Sequence, residues 1–248
     1  MLLRNRTVTP TERAWIKRTA RLAGGLYLAI VPFTAFGILY VPSVLVVRGD
    51  AAATARNIMA SEWLFRSGIV SHLVGQIIFV FLALALYQLL APVNKNHAVL
   101  MVALALLGVP IAVVNEVNHL AALRLLSGAD YLQPLTSVQL QALAMLFLDL
   151  RESGILVAQV FWGLWLVPLG YLVMRSGFLP GLLGILVIVA GGGYLVDVVV
   201  AILFPTIDVT IGLFTFVGEL LFPLWLLFKG VNVEHWQRLR MTGTGDTP

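Results

Sequence analysis

The sequence predicts an all-α protein, a polytopic bundle of about six transmembrane helices, and three observations predict this class. Of the 248 residues, 60% are hydrophobic and only 11% are Asp, Glu, Lys or Arg, whereas soluble domains carry roughly 25% charged residues. Six apolar stretches reach the length of about 20 residues that a helix needs to cross a bilayer. Lys and Arg collect in the connections between those stretches. So few charges cannot cover a water-soluble globule of this size, and the apolar excess is therefore predicted to face lipid.

The six predicted spans form a single membrane domain over residues 22–229. A cytoplasmic segment in which a helix begins precedes this domain (1–21), and a cytoplasmic tail follows it (230–248). The spans are predicted over residues 22–47, 65–90, 98–126, 153–174, 181–204 and 209–229.

A seventh apolar run, Val138–Leu150, is about 13 residues long and too short to span a membrane. Charged residues close the run at Asp149, Arg151 and Glu152. A short interfacial or re-entrant helix before the fourth span is therefore predicted at this place.

Local signals mark where several helices begin and end. Thr9-Pro10-Thr11-Glu12 is a capping box with proline at the first helical position, so a helix is predicted to begin before the first span. Asp50 is predicted to cap a short helix that runs through Ser61. The tail after Asn232 is polar and rich in Gly and Thr at its end, and it is predicted to be disordered.

Prolines lie inside four of the predicted spans, at positions 32, 110, 168 and 223. Each proline frees a backbone carbonyl and is predicted to kink its helix. Kinked helices are common in membrane bundles, so the prolines favour an ordinary packing role over a gating role.

The distribution of basic residues predicts the orientation in the membrane. Eleven Lys and Arg residues lie at the N-terminus, in the second and fourth connections and in the tail, whereas five lie on the opposite side. Because cytoplasmic loops carry an excess of Lys and Arg, both termini are predicted to be cytoplasmic.

Composition and motifs exclude several functional classes. The net charge of +4 is spread over segment ends and forms no single basic patch, so no nucleic-acid partner is predicted. The chain has no cysteine, which excludes disulfides, thiol catalysis and thiolate metal sites. Nucleotide-binding and zinc-protease motifs are absent, and no cofactor, metal or catalytic residue is predicted. The lipid bilayer is the one predicted partner besides a small ligand or ion.

Polar residues inside the predicted spans are the most informative feature of the sequence, because such residues are costly in a bilayer. Measured from the outer end of each span at about 1.5 Å per residue, they lie at about 9–16 Å depth, in the outer half of the membrane. Helical spacing places those of the second span on one face and those of the third span on one face. The candidate ligand-binding residues are His72, Gln76, Asn115, Glu116, Asn118, His119, Gln159, Asp197 and Glu219.

Three interpretations of this polar layer remain open. The layer lines an outward-facing pocket that binds or carries a small ligand, ion or proton, as in carriers and proton relays. Alternatively it is a buried network that only pairs helices, in a structural or accessory subunit. A third alternative is an intramembrane metal-dependent enzyme, because Glu116-x-x-His119 has the spacing of metal sites in helix bundles.

Several stretches across nearly the whole chain resemble one known family. They are residues 49–58, 62–66, 92–96, 140–144, 176–180, 193–197 and 225–232. In the residues of these stretches and in their order along the chain, the sequence is similar to the bacterial membrane-protein family catalogued as domain of unknown function 4386. The resemblance implies a multi-pass protein of the bacterial cytoplasmic membrane, and it implies no activity.

Overall fold

The computed structural model of the protein describes residues 9–206 and 210–243, and this part of the chain contains helices and turns but no strand. A π-helical segment, Ala35–Tyr40, joins the first two helices, and a short 3-10 helix, Asp130–Leu132, precedes the sixth. The helices are α1 (Pro10–Thr34), α2 (Val41–Leu45), α3 (Ala51–Ala60), α4 (Glu62–Leu90), α5 (Lys95–Leu126), α6 (Ser137–Leu164), α7 (Leu166–Ser176), α8 (Gly181–Leu203), α9 (Ile211–Phe228) and α10 (Val233–Gly243).

The predicted all-α fold with six spans is confirmed. Among the described residues, six helical stretches are long and apolar enough to cross a membrane: Pro10–Leu45, Glu62–Leu90, Lys95–Leu126, Ser137–Ser176, Gly181–Leu203 and Ile211–Phe228. Large apolar side chains on them are exposed, such as Phe214 at 76% and Val114 at 65%. Exposed apolar surface of this kind is typical of a face that contacts lipid. Residues 1–8 of the predicted cytoplasmic segment, residue 209 of the sixth predicted span and residues 244–248 of the predicted tail lie outside the described residues.

The interfacial helix predicted over Val138–Leu150 is not a separate helix. The run forms the first half of α6, which continues without a break to Leu164. By hydropathy alone, the charged residues that close the run predict that a helix ends there. In the structure Arg151 is buried and ion-paired, so the helix can continue through it.

The prediction of a disordered tail after Asn232 is wrong for residues 233–243, which form α10. Asn232 accepts a hydrogen bond from the His235 backbone N–H at 3.2 Å, as a helix-capping residue does. The Trp236 indole N–H donates to the Leu89 carbonyl at 2.7 Å, in the last turn of α4. Because carbonyls in a last helical turn lack partners within their own helix, the tryptophan satisfies one of them and holds α10 in place.

The two capping predictions are confirmed. The Glu12 backbone N–H donates to the Thr9 hydroxyl at 3.2 Å, and the Thr9 backbone N–H donates to the Glu12 carboxylate at 3.2 Å. These reciprocal bonds are the two halves of a capping box. Asp50 accepts from the Ala53 N–H at 2.8 Å at the start of α3.

Two of the four prolines coincide with irregular backbone. The π-helical segment begins three residues after Pro32. α6 ends at Leu164, the residue whose carbonyl loses its hydrogen-bond donor because Pro168 has no N–H. α5 and α9 run through Pro110 and Pro223 as single helices.

The chain divides into two compact units. The Glu116 unit comprises Ala29–Phe79 and Leu107–Gln159. The Glu219 unit comprises Met1–Leu28, Val80–Leu106 and Val160–Pro248. Each unit has its own core and its own buried carboxylates.

The core of the Glu116 unit is built from α2 to α6. It consists of buried apolar residues, namely Val41, Leu45, Ile58, Phe65, Ile69, Ala122, Leu123, Ala144 and Leu148. The π-helical segment approaches α4 closely through Gly37, where a Cβ atom would lie 2.7 Å from the Gly68 carbonyl oxygen. Glycine at position 37 therefore allows the π-helical segment to pack against α4 beside His72.

The Glu219 unit depends on close helix contacts through glycine. A Cβ at Gly170 would lie 2.4 Å from the Gly184 carbonyl oxygen, and the reverse distance is also 2.4 Å. Seven residues away in each segment, which is about two helical turns, a Cβ at Gly191 would lie 2.6 Å from the carbonyl oxygen of Gly163 in α6. The glycine pairs bring the backbones together, as small residues do in membrane helix pairs.

Candidate functional site

The centre of the Glu116 unit is a buried carboxylate that receives three hydrogen bonds from three helices. His72 of α4 donates from Nδ1 to Glu116 Oε1 at 2.5 Å, and His119 of α5 donates from Nδ1 to Oε2 at 2.7 Å. Arg151 of α6 donates to Oε1 at 3.1 Å. Glu116 and Arg151 are both 2% exposed. We call these four residues the Glu116 cluster.

The hydrogen bonds of the cluster assign the tautomer of His72. A carboxylate oxygen only accepts, so the His72 proton that faces Glu116 is on Nδ1. The other ring nitrogen of His72, Nε2, then accepts from the Gln76 amide nitrogen at 3.2 Å. Both ring nitrogens of His72 are thus engaged, Nδ1 by Glu116 and Nε2 by Gln76. Gln76 Oε1 is buried and has no hydrogen-bond partner in the described residues.

Asn115 and Asn118 connect the cluster to the backbone of α6. The Asn115 side-chain amide donates to the Arg151 carbonyl at 2.8 Å, and Asn118 donates to Asn115 Oδ1 at 2.9 Å. Gly154 makes room for Asn115, because a Cβ there would lie 2.0 Å from Asn115 Oδ1. The asparagines thus fix α6 against α5 at the level of Arg151.

α5 has one polar face, as its sequence predicts. Asn115, Glu116 and His119 are buried in the unit. Val113, Val117 and Leu120 are exposed on the other side of the helix. The polar face therefore points into the protein and the apolar face is left for lipid.

A cavity of about 270 Å³ lies beside the Glu116 cluster, and we call it the α6 pocket. Its polar walls are His119 and Arg151 from the cluster, together with the exposed residues Arg48 and Glu152. Its remaining lining is apolar: Ile38, Pro42, Val46, Leu148, Ile155 and Leu156. Arg151 Nε is buried and has no hydrogen-bond partner within the described residues.

Local backbone features position the lining residues that precede α3. Ile38 belongs to the π-helical segment, and such segments are frequent at functional sites. Arg48 is followed by Gly49 at φ 78°, a left-handed conformation that glycine adopts without strain. Thr54 closes this turn with hydrogen bonds to the N–H and the carbonyl of Val47, at 2.9 and 3.2 Å.

The Glu219 unit contains a buried carboxylate with different partners. Glu219 of α9 accepts hydrogen bonds from the hydroxyls of Tyr27 and Tyr194, the latter at 2.6 Å. Tyr27 lies on α1 and Tyr194 on α8, so Glu219 connects three helices. Within the described residues, no Lys, Arg or His bonds Glu219. We call these three residues the Glu219 cluster.

Asp197 of α8 caps a neighbouring helix. Its carboxylate accepts from the backbone N–H groups of Ile211 and Gly212 at 2.7 and 2.8 Å, at the start of α9. These N–H groups have no partner within α9, and a negative charge at a helix N-terminus is stabilising. The contacts explain why an aspartate is buried at this position.

The structure thus joins six of the nine predicted site residues in one hydrogen-bond network. A seventh lies in the same unit, and the other two lie in the Glu219 unit. The Glu116 unit holds His72, Gln76, Asn115, Glu116, Asn118 and His119 in one network. Gln159 is a half-buried residue of α6 in the same unit. Asp197 and Glu219 have their partners in the Glu219 unit.

Sequence reasoning missed three participants. Arg151 is not among the candidates, because hydropathy treats it as one of the charged residues that close the run Val138–Leu150. Tyr27 and Tyr194 were not candidates, although a tyrosine hydroxyl inside a span needs a hydrogen-bond partner. That requirement is the signal that indicates both residues.

The geometry of the Glu116 cluster differs from that of a metal site. Both oxygens of Glu116 face imidazole Nδ1 atoms, and a guanidinium bonds one of the oxygens. Among the described residues, no three His, Asp or Glu side chains are arranged to hold a metal ion. A network of charge-assisted hydrogen bonds accounts for the arrangement.

The fold and the polar clusters define a multi-pass membrane protein. The chain belongs to the family described as a domain of unknown function (DUF4386), which matches residues 22–230. One relative is an uncharacterized protein of Archaeoglobus fulgidus, 33% identical over 154 residues, which are 62% of this chain and 78% of the relative. No solved structure matches the chain.

Proposed function

We propose that the protein binds a small anionic ligand in the α6 pocket. The observation that carries this proposal is a buried arginine with spare donor capacity beside a cavity. A guanidinium has five N–H donors, and the hydrogen bond from the Arg151 side chain goes to Glu116. The remaining donors of Arg151 are suited to the oxygens of a carboxylate or phosphate group.

The size and charge of the pocket support a ligand of a few atoms. Its volume of about 270 Å³ lies at the lower limit of the about 300–1,000 Å³ that is typical of ligand sites. Two arginines and one histidine line it, against the single acid Glu152. Glu116 neutralises one of those arginines, so Arg48 contributes the attraction for an anion that enters.

A second candidate function is structural, and it too has an observation in its favour. The Glu116 carboxylate is fully engaged by α4, α5 and α6. A network whose polar groups bond one another needs no ligand, and its role can then be to pair helices and nothing more. The experiments below distinguish this role from ligand binding.

The first experiment measures thermal stability of the purified protein in detergent with sodium acetate, sodium phosphate or sodium chloride at equal ionic strength. A ligand that binds the folded state raises the melting temperature. We expect acetate or phosphate to raise it more than chloride does, and Arg48→Gln to reduce the difference. Arg56→Gln, an exposed arginine of α3 outside the pocket, is the matched control. Equal effects of all three salts favour the structural role.

The second experiment tests whether water reaches the pocket. The native chain has no cysteine, so an introduced thiol is the only one present. Ile155→Cys replaces a half-buried lining residue of the pocket, and Ala158→Cys replaces a fully buried residue of the same helix. A membrane-impermeant thiol reagent is expected to modify Ile155→Cys and not Ala158→Cys. Absence of labelling at both positions indicates a dry network.

We further propose that the pocket opens to the side of the membrane opposite to the termini, as the basic residues predict. Reporter fusions after Gly177 and at the C-terminus are both expected to report the cytoplasm. Labelling of Ile155→Cys in intact cells then requires reagent added from outside. An external C-terminus contradicts the proposed orientation.

A further inference from the structure

The Glu219 unit contains a second cavity, which the polar clusters do not use. It has a volume of about 550 Å³ and lies where the ends of three helices meet. The first turns of α1 contribute Trp15, the last turn of α4 contributes Gln88, and α10 contributes Trp236 and Arg240. We call this cavity the Trp15 groove.

Aromatic and basic side chains build the groove. The rings of Trp15 and Trp236 lie 5.9 Å apart at an angle of 60°. The Arg240 guanidinium lies 5.7 Å above the Trp236 ring, which fixes it by a cation–π contact. Trp236 is itself held by its bond to the Leu89 carbonyl. The groove is therefore a structured site with a positioned guanidinium.

The polar groups of the groove are mostly hydrogen-bond donors. Arg240, the Gln88 amide, the Tyr87 hydroxyl and the Trp15 indole carry N–H or O–H donors and line the groove, and Glu12 is the one acidic residue of the lining. α1 before residue 22 and α10 together carry six Lys and Arg residues and two Glu residues. This surface attracts anions. A phosphate group is negatively charged and its oxygens accept hydrogen bonds, so it complements this positively charged surface of donors.

The position of the groove selects a lipid over a free anion. On α4, exposed Phe81 and Leu84 precede exposed Gln88 on one helical face. On α1, exposed Trp15 is followed on the same face by exposed Leu22, at the point where basic sequence gives way to apolar sequence. Both helices thus lead from the groove to apolar surface. Trp at such a boundary is typical of the membrane interface.

We infer that the Trp15 groove binds the headgroup of an anionic phospholipid, with the phosphate on Arg240 and the acyl chains along Leu84 and Phe81. Aromatic side chains with a basic residue between helix ends match the general chemistry of lipid headgroup sites. The volume of the groove lies in the range of about 300–1,000 Å³ that is usual for ligands of this size.

The test measures melting temperature and lipid adducts by native mass spectrometry with short-chain phosphatidylglycerol, short-chain phosphatidylcholine and inorganic phosphate. Phosphatidylglycerol is expected to raise the melting temperature of the full chain more than phosphatidylcholine or inorganic phosphate does. It is also expected to give the larger fraction of protein with a bound adduct. Arg240→Gln is expected to weaken phosphatidylglycerol binding about tenfold, because a charge-assisted hydrogen bond is lost. Arg238→Gln, an exposed arginine of the same helix outside the groove, is the matched control and should bind as the native protein does.

Arg240→Lys serves as the second variant if Arg240→Gln does not fold. It keeps the charge but not the planar fork of donors, so an intermediate loss of binding is expected. Equal losses in Arg238→Gln and Arg240→Gln overturn the site, since they indicate only general attraction. Equal stabilisation by phosphatidylcholine overturns the anionic class, and equal stabilisation by inorganic phosphate overturns the lipid.

Discussion

The two buried clusters show two ways of keeping a glutamate inside a membrane bundle. Glu116 is paired with a buried arginine and two histidines, and it adjoins a cavity. Glu219 receives two tyrosine hydroxyls, without a cation among its described partners. Both clusters join three helices, so pairing of helices alone does not require a positive charge. The Glu116 cluster differs from the Glu219 cluster in containing an arginine, Arg151.

This difference separates a structural contact from a candidate binding site. A buried ion pair costs desolvation that its own attraction only partly offsets. In the Glu219 cluster two neutral hydroxyls bond the carboxyl group without a second charge to desolvate. Arg151 beside the α6 pocket is therefore the residue on which the proposed ligand site depends.

The largest expected effect is loss of Arg151. Arg151→Leu leaves Glu116 buried without its cation and is expected to lower the free energy of unfolding by about 3–5 kcal/mol. Glu219→Gln leaves no unpaired charge and is expected to cost about 1 kcal/mol. Unfolding of the purified protein in mixed micelles with increasing denaturing detergent measures both.

Two further variants control this comparison. Arg124→Leu removes an exposed arginine of the same unit and should change stability by less than about 0.5 kcal/mol. Adding Glu116→Gln to Arg151→Leu should restore more than half of the loss, because no charge then remains buried. Equal losses for Arg151→Leu and Glu219→Gln would show that the arginine makes no special contribution.

The second effect concerns the glycines that make room for Asn115 in the Glu116 unit and for Asp197 in the Glu219 unit. Gly154→Ala places a Cβ 2.0 Å from Asn115 Oδ1, and Gly212→Ala places one 2.7 Å from Asp197 Oδ2. We expect each to cost about 1–3 kcal/mol, as overpacking does. Gly192→Ala, where a Cβ meets nothing within 4 Å, is the control and should stabilise by up to about 1 kcal/mol. A loss at Gly192 as large as at the other two would contradict the assigned contacts.

A third and smaller effect is expected for the tyrosines. Tyr27→Phe and Tyr194→Phe each remove one donor to Glu219, at a cost of about 1 kcal/mol. The double variant leaves the carboxyl group without its two donors, so its cost should exceed the sum of the single costs. Tyr131→Phe, at an exposed position, is expected to be neutral. Additive losses would indicate that Glu219 finds other partners.

The sequence predicts part of the Glu116 cluster because that part is local. His72 and Gln76 are four residues apart and Glu116 and His119 are three apart, so helical geometry places each pair on one face. The six spans follow from composition and length in the same way.

The remaining contacts join residues that are far apart in sequence. Tyr27 and Glu219 are separated by 192 residues, and no periodicity relates them. Arg151 was misplaced because hydropathy treats every arginine as a helix boundary, whereas pairing with Glu116 lets α6 continue. The cap that Asp197 provides for α9 depends equally on how two helices meet.

The smallest expected effect tests the direction of the hydrogen bond between Gln76 and His72. Gln76→Leu removes the hydrogen bond to His72, and such bonds contribute only about 0.6 kcal/mol on average in membranes. It also removes the Gln76 carbonyl oxygen, which is buried without a partner among the described residues. Because the two changes oppose each other, the free energy of unfolding should change by less than about 0.5 kcal/mol. If Nε2 of His72 donated to the Gln76 oxygen instead, Gln76→Leu would leave a buried N–H donor without its acceptor. A loss above about 1.5 kcal/mol, the usual size of a hydrogen bond to a charged group, would therefore show that His72 donates from both ring nitrogens.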